Sequence, residues 1–181
     1  YSINLNNLSI NWFINLHQSL VTSPSNLFYS HPLQIHEDKV IVSTKPHLFV
    51  INAINGSTIH KKPITSILKP AISGEHIFLV TKDNLLVCMN LKSGKIIYSI
   101  NISQEIGVFL NTKNKSISVK FLSIINNNLF LFLNNSYVVQ FNTIGSINKI
   151  VNLPNKMSSN PIFVKDSILY FNNKNKLVVV D

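Results

Sequence analysis

The sequence contains no arginine, one cysteine, seven acidic residues and five glycines among its 181 residues. The sixteen lysines give a formal charge of +9, but arginine is the side chain that reads bases and phosphates through paired hydrogen bonds, so nucleic-acid binding is not predicted. A single cysteine excludes an internal disulfide. Five dispersed glycines exclude a glycine-rich phosphate loop. No apolar run approaches the roughly 18 residues of a transmembrane helix.

Residue types suited to catalysis or metal binding are also scarce. The acidic residues are scattered, and no pair has the spacing of a Ca²⁺ site. The six histidines share neither HxH nor HxxxH spacing, and no GxSxG sequence occurs. We therefore predict no catalytic residue, no cofactor and no metal site, and a protein that is not an enzyme.

The residues that are present favour a folded β protein. Hydrophobic residues make up 45% of the chain and the mean hydropathy is +0.21, which excludes disorder and suits sheets buried on both faces. The one cysteine, Cys88, lies in an apolar stretch and is predicted to be a buried small hydrophobic residue.

The stretch from Val87 to Tyr98 is the most informative one. It predicts a β-strand, a turn over Asn90 to Gly94 and a second strand, with Gly94 free to adopt a positive φ. The pattern recurs in register. Its anchors, each following an apolar run, are Asn4, Asn52, Asn90, Asn142 and Asp181.

Two further apolar segments precede most anchors, so each unit contains four short strands, which we letter A to D. A period of about 40 residues with four strands is typical of a β-propeller blade. Such sheets need neighbours on both faces, and stacked blades provide them. A sandwich or barrel is the alternative, but neither requires a repeated turn in fixed register.

We predict one domain over residues 1–181, an all-β propeller with about four blades. The repeats are 1–16 (strand D of one blade with the end of strand C), 31–62, 70–102, 121–153 and 161–181. A polar connection covers 17–30, and an insertion covers 103–120 with a short helical turn near 106–110. We expect the chain to be half of an eight-bladed parent and to self-associate through open propeller edges. The alternatives are that it closes as a four-bladed ring or that two copies close together.

The turn stretch resembles a known family. Cys88-x-Asn90-Leu91-x-Ser93-Gly94-Lys95-x-x-Tyr98 is similar to the quinoprotein-type (PQQ-like) propeller repeat, and weaker copies end at His60 and Trp12. The resemblance implies that the aromatic residue ending strand D docks on the neighbouring blade, a role for Trp12 and Tyr98. The resemblance also implies that Gly56 and Gly94 are structural residues of the turn. His60 and Ile150 stand where the family has an aromatic residue.

The family has two branches that imply different functions. Quinone-dependent dehydrogenases need Ca²⁺-binding carboxylates, an Asp base and often adjacent cysteines, which this chain lacks. The other branch is the non-catalytic propeller subunit of the outer-membrane β-barrel assembly machinery, a cofactor-free scaffold beside the insertase. That resemblance implies a protein-binding scaffold, a periplasmic location at the outer membrane and the insertase's periplasmic domains as partner. The alternatives are a fragment of a quinone (PQQ)-dependent dehydrogenase and a propeller ectodomain of a sensor or adhesion protein.

The insertion after strand D of the 70–102 repeat is the predicted partner-binding region. It lies on the same face as the turns between strands B and C, and it carries an apolar Val108-Phe109-Leu110 that a plain loop does not need. The residues predicted to contact a partner are Gln104, Glu105, Phe109, Lys113 and Lys115. The alternative is that Phe109 packs into the propeller and stabilises it.

Overall fold

The structure, a computed structural model, describes residues 1–16, 33–112, 117–165 and 167–180. The predicted connection at 17–30 lies outside the described residues. The described residues form seventeen strands and one helix. Every sheet is antiparallel, and its strands lie in chain order.

The elements divide into a first sheet and four blades. The first sheet contains β1 (Ser2–Ile3) and β2 (Ile10–Trp12). Blade 1 contains β3 (Gln34–His36), β4 (Lys39–Ser43), β5 (Leu48–Asn52) and β6 (Thr58–Lys62). Blade 2 contains β7 (Ala71–Ser73), β8 (His76–Val80), β9 (Leu85–Asn90) and β10 (Ile96–Asn101), followed by helix α1 (Ile102–Phe109). Blade 3 contains β11 (Val119–Ile125), β12 (Asn128–Leu133), β13 (Tyr137–Asn142) and β14 (Ile147–Asn152). Blade 4 contains β15 (Ile162–Val164), β16 (Ser167–Phe171) and β17 (Leu177–Val180).

The turn between strands C and D is built in the same way in blades 1 and 2. The Asn90 side-chain oxygen accepts hydrogen bonds from the backbone N–H groups of Lys92 (3.0 Å) and Ser93 (2.8 Å), and the Gly94 N–H donates to the Asn90 carbonyl (2.8 Å). Asn52 accepts equivalent bonds in blade 1. Gly94 has a φ of +67°. An Asn side chain satisfies the turn locally, and glycine adopts the left-handed conformation that closes it.

Each glycine in a turn between strands C and D contacts a side chain from strand D of the preceding sheet. The Trp12 indole N–H donates to the Ala53 carbonyl at 3.0 Å, with its ring against Gly56. The Tyr98 hydroxyl donates to the Thr143 carbonyl at 3.1 Å, with its ring near Gly145. The contact therefore joins the first sheet to blade 1 and blade 2 to blade 3.

His60 makes the same contact between blades 1 and 2. Its Nε2 lies 3.1 Å from the Leu91 carbonyl and 3.2 Å from the Lys92 carbonyl, so this nitrogen carries the proton. The His60 ring lies against Gly94. His60, which stands where the family has Trp, therefore docks as Trp12 and Tyr98 do, since a flat ring with an N–H donor is sufficient.

The sequence alignment that places Ile150 at the same strand-D position as Tyr98 was wrong. In blade 2, Cys88 pairs with Tyr98, but in blade 3 Gln140 pairs with Lys149 and Val139 pairs with Ile150. The turn of blade 3 is one residue shorter, so Lys149 occupies the docking position. Ile150 packs instead into the cluster between blades 2 and 3.

Four buried clusters fill the spaces between consecutive sheets. Their fully buried members include Ile51 between the first sheet and blade 1, Ile77 between blades 1 and 2, Phe78 and Leu131 between blades 2 and 3, and Tyr170 between blades 3 and 4. Among the described residues, none of these clusters contains side chains from both the first sheet and blade 4. Each sheet is thus covered by its neighbour in sequence.

The docking contact predicts a difference between two glycine substitutions with similar φ angles. A Cβ on Gly94 would lie 2.6 Å from His60 Nδ1, whereas a Cβ on Gly74 (φ +52°) meets nothing within 4 Å. Gly74→Ala is expected to cost only the left-handed strain of about 1–2 kcal/mol. Gly94→Ala should lose about 1–3 kcal/mol more, because the ring must move.

The measurement is urea unfolding of both variants and of the parent chain. Equal free energies of unfolding for Gly74→Ala and Gly94→Ala would contradict the docking role of the His60 ring.

Candidate partner-binding surface

Helix α1 begins directly where strand β10 ends. The Asn101 side chain caps it by accepting a hydrogen bond from the Gln104 backbone N–H at 3.1 Å. Glu105 lies in the first turn, where its negative charge interacts favourably with the helix dipole. The helix is a full eight residues and not the predicted short turn near 106–110. Asn101 followed three residues later by Gln104 is a helix-start signal that would have placed it correctly.

Both ends of the insertion are held against the turns between strands B and C. The Ile102 backbone N–H donates to the Asn84 carbonyl at 3.0 Å, and the Asn84 side chain donates to the Ile117 carbonyl at 2.7 Å. The Asn134 N–H donates to the Ser118 carbonyl at 3.0 Å. These bonds place α1 at the end of the blades opposite to the docking turns.

The inner side of α1 anchors it to the core. Ile102 is fully buried, and Ile106 packs against the cluster between blades 2 and 3. Gly107 is buried as well. The inner side of the helix is therefore the side that contacts the propeller core.

The outer side of α1 exposes a short apolar segment. Phe109 is 47% exposed, and its neighbours Val108 and Leu110 are exposed too. Gln104 is exposed and Glu105 is half-buried. Lys113 and Lys115, the other predicted contacts, lie outside the described residues. The predicted alternative of Phe109 packed into the propeller does not match its exposure.

A cleft of about 190 Å³ lies between α1 and blade 3. Helix α1 and the residue that caps it contribute Ser103, Ile106, Gly107 and Leu110, and the strands and B–C turn of blade 3 contribute Leu133, Asn135, Tyr137, Val139 and Ile150. Ligand pockets usually measure about 300–1,000 Å³. The cleft is therefore suited to one or two apolar side chains of a partner rather than to a cofactor. We refer to this cleft together with Val108, Phe109 and Leu110 as the α1 surface.

Among the residues that the structure describes, no three His, Cys, Asp or Glu side chains come together as metal ligands would. Burial raises the pKa of Cys88 to about 11, from an ordinary value of 9.0, and it also raises the pKa of Tyr98. In the described ranges, no helix has the length and apolar character needed to cross a membrane.

The arrangement of the sheets matches that of solved propellers. BamB from Moraxella catarrhalis is 12% identical, with a TM-score of 0.66 over 82% of this chain and 42% of BamB. BBS1N, solved in complex with ARL6DN, is 12% identical with a TM-score of 0.64 over 89% of this chain and 53% of BBS1N. The RRP9 WD40 repeats are 11% identical with a TM-score of 0.62 over 83% of this chain and 50% of theirs.

The fold is a partial β-propeller of about four blades. The all-β propeller prediction is confirmed. Similarity at these identities shows the fold alone, and it includes WD40 repeats as well as BamB, so it does not single out the PQQ-like repeat. The chain spans about half, or less, of the length of each of these three proteins. No family model matches the sequence, and no curated protein matches it either.

Burial of the only thiol predicts its chemical behaviour. Cys88 lies between blades 2 and 3 and is buried, so a thiol reagent such as DTNB is expected to leave it unmodified in the native protein at pH 8 and to modify it fully in denaturant. Native-state modification at the rate of a free cysteine would contradict this packing.

The raised pKa also predicts the sign of a pH effect. Between about pH 9 and 11 the thiol stays protonated when folded and ionises when unfolded, so stability falls with rising pH by up to about 1.4 kcal/mol per unit. Urea unfolding at pH 7, 9 and 10 should show this decline. It should be shallower in Cys88→Ala, because that variant has no thiol to ionise.

Proposed function

We propose that this protein is a non-enzymatic scaffold that binds a protein partner through the α1 surface. The observation that carries the proposal is the exposed Val108-Phe109-Leu110 segment on a helix whose inner side is fixed in the core. Loops at the end of a rigid scaffold commonly carry function. An apolar segment next to a small apolar cleft offers a partner both a protruding aromatic residue and a recess.

The local structure favours binding because little has to be ordered when the partner arrives. The Asn101 cap, the buried Ile102 and the Asn84 hydrogen bonds hold α1 in place before binding. Preorganisation lowers the entropy lost on association. Aromatic residues at the centre of an interface often contribute most of its binding energy. Phe109, which is more exposed than Tyr137 of the cleft, is the residue of the α1 surface that we assign this role.

The partner we propose is the set of soluble periplasmic domains of the outer-membrane barrel-assembly insertase. The support is the PQQ-like turn sequence between Cys88 and Tyr98, together with the structural similarity to BamB. The absence of arginine and of clustered acidic residues is consistent with a scaffold rather than a nucleic-acid binder or a dehydrogenase. A periplasmic location at the outer membrane is part of the same proposal.

The test is co-elution of the purified chain with those insertase domains on a size-exclusion column. Phe109→Asp should weaken the complex about 30-fold or more, since loss of a central aromatic contact typically costs about 2 kcal/mol or more. Ile144→Asp is the matched control, because Ile144 is an exposed aliphatic residue in a C–D turn at the opposite end of the blades.

Two results would argue against the proposal. A complex that Phe109→Asp and Ile144→Asp weaken equally would remove the α1 surface from the interface. The absence of any complex with the insertase domains would overturn the choice of partner. Circular dichroism of both variants should match the parent chain, because both substituted side chains are exposed.

A further inference from the structure

The lysines are divided unequally between the two ends of the blades. Because the strands of each blade are antiparallel and in chain order, the B–C turns and the connections from one blade to the next lie at one end, and the A–B and C–D turns lie at the other. Of the fourteen lysines in the described residues, nine lie at the first end and five at or near the second. We call the first end, with its nine lysines, the basic end.

The lysines of the basic end come from several parts of the chain. The B–C turns contribute four, which are Lys45, Lys82, Lys174 and Lys176. The strand ends and connections between blades contribute five more, among them Lys69 between blades 1 and 2 and Lys156 between blades 3 and 4. The charge is therefore spread over three B–C turns and over the connections that separate them.

The acidic residues increase the asymmetry. Three of the five described ones lie in A–B turns at the opposite end, namely Glu37, Asp38 and Glu75. In the described part of the chain, Asp83 and Glu105 are the acidic residues of the basic end. Nine lysines and two carboxylates give the basic end a formal charge of +7, whereas five lysines and three carboxylates give the opposite end +2.

This charge is exposed to solvent. Seven of the nine lysines of the basic end are exposed, and the other two, Lys62 and Lys120, are half-buried. Residues 17–32 and 113–116, the longer segments outside the described ranges, contain no acidic residue, so they do not neutralise the lysines. Exposed charges of one sign on one surface produce a potential that attracts ligands of the opposite sign.

The ligand that best fits this distribution is an extended anionic surface. Neighbouring sheets pack about 10 Å apart, so lysines from blades 1, 2 and 4 cover the end of the blades and do not line a single groove. Lysine is a point charge on a flexible stem and attracts phosphates without a fixed geometry, whereas nucleic-acid recognition favours the planar arginine fork. A bilayer that contains anionic phospholipids presents phosphates in this diffuse way and attracts clustered lysines.

We propose that the basic end binds the surface of a bilayer that contains anionic phospholipids. The exposed Val108-Phe109-Leu110 segment lies at the same end of the blades, and apolar side chains next to lysines can enter the headgroup region. Binding in this way turns the α1 surface toward the lipid and the C–D turns away from it. The proposal rests on the position of the lysines and not on the insertase domains, so either proposal can fail without the other.

The test is co-sedimentation of the purified chain with phosphatidylcholine vesicles, either pure or containing about 40% phosphatidylglycerol. In about 0.1 M NaCl the chain should sediment with the anionic vesicles and not with the neutral ones. Raising the salt to about 1 M shortens the Debye length to about 3 Å and should release it. No insertase domain is present in this experiment.

Two fourfold variants with the same net charge test the position of the site. The basic-end variant combines Lys69→Gln, Lys82→Gln, Lys174→Gln and Lys176→Gln. The matched control combines Lys92→Gln, Lys95→Gln, Lys149→Gln and Lys165→Gln. All eight lysines are exposed, so both variants should match the circular dichroism of the parent chain. The basic-end variant should bind anionic vesicles at least about thirtyfold more weakly, and the control should stay within about threefold of the parent chain.

Three results would overturn the proposal. A parent chain that fails to sediment with the anionic vesicles has no affinity for such a surface. Equal loss of binding in the two variants would show that net charge, and not the basic end, attracts the chain. Tighter binding to polyglutamate than to the anionic vesicles at equal anion concentration would identify an acidic polypeptide, and not a lipid surface, as the ligand of the basic end.

Discussion

The contact between a strand-D side chain and the turn glycine of the next sheet is the constraint on which the rest of this structure depends. A ring carried by Trp12, His60 or Tyr98 lies against a glycine and donates a hydrogen bond to a backbone carbonyl of the same turn. The bond satisfies a polar group at the rim of an apolar junction and limits the spacing of the two sheets at the three junctions where it occurs, whereas Lys149 occupies the docking position of blade 3. A methyl group at Gly56 or Gly94 would occupy the space of the ring.

The docking contacts lie at the end of the blades that carries the C–D turns, and the insertion lies at the opposite end. The C–D turns satisfy their own backbone groups through the Asn anchors and receive the docking rings. The B–C turns at the opposite end carry no such rings. There Asn84 and Asn134 hold the insertion, and the insertion presents Phe109 outward. The docked turns at one end thus leave the proposed α1 surface at the opposite end of the blades.

The parts of the fold that could be predicted are those encoded by local chemistry. An Asn that accepts bonds from the next few backbone N–H groups defines its own turn, so the anchors located the strands on both sides of it. The docking of His60 could not be inferred from the family pattern, because that pattern has Trp at this position whereas the site needs only a flat ring with a donor. The orientation of Ile150 depends on the length of one turn, which shifts every later side chain of the strand to the other face. The helix start at Asn101 was readable from its capping residues. The exposure of Phe109 could not be predicted from the sequence, because it depends on Ile102 and Ile106 being the residues of α1 that pack into the core.

The repeat also explains why the two ends of the stack differ from everything between them. Every internal junction buries the same positions, such as Ile51 and Phe132, and each contributes to stability mainly through contact with its neighbour. The apolar positions of strand C follow the same pattern in the first sheet and in blade 4 as in the blades between them. Ile3 and Phe171, whose counterparts Ile51 and Phe132 are buried, are nevertheless about half exposed. The burial of a residue in this fold is therefore set by the neighbouring sheet and not by the local sequence.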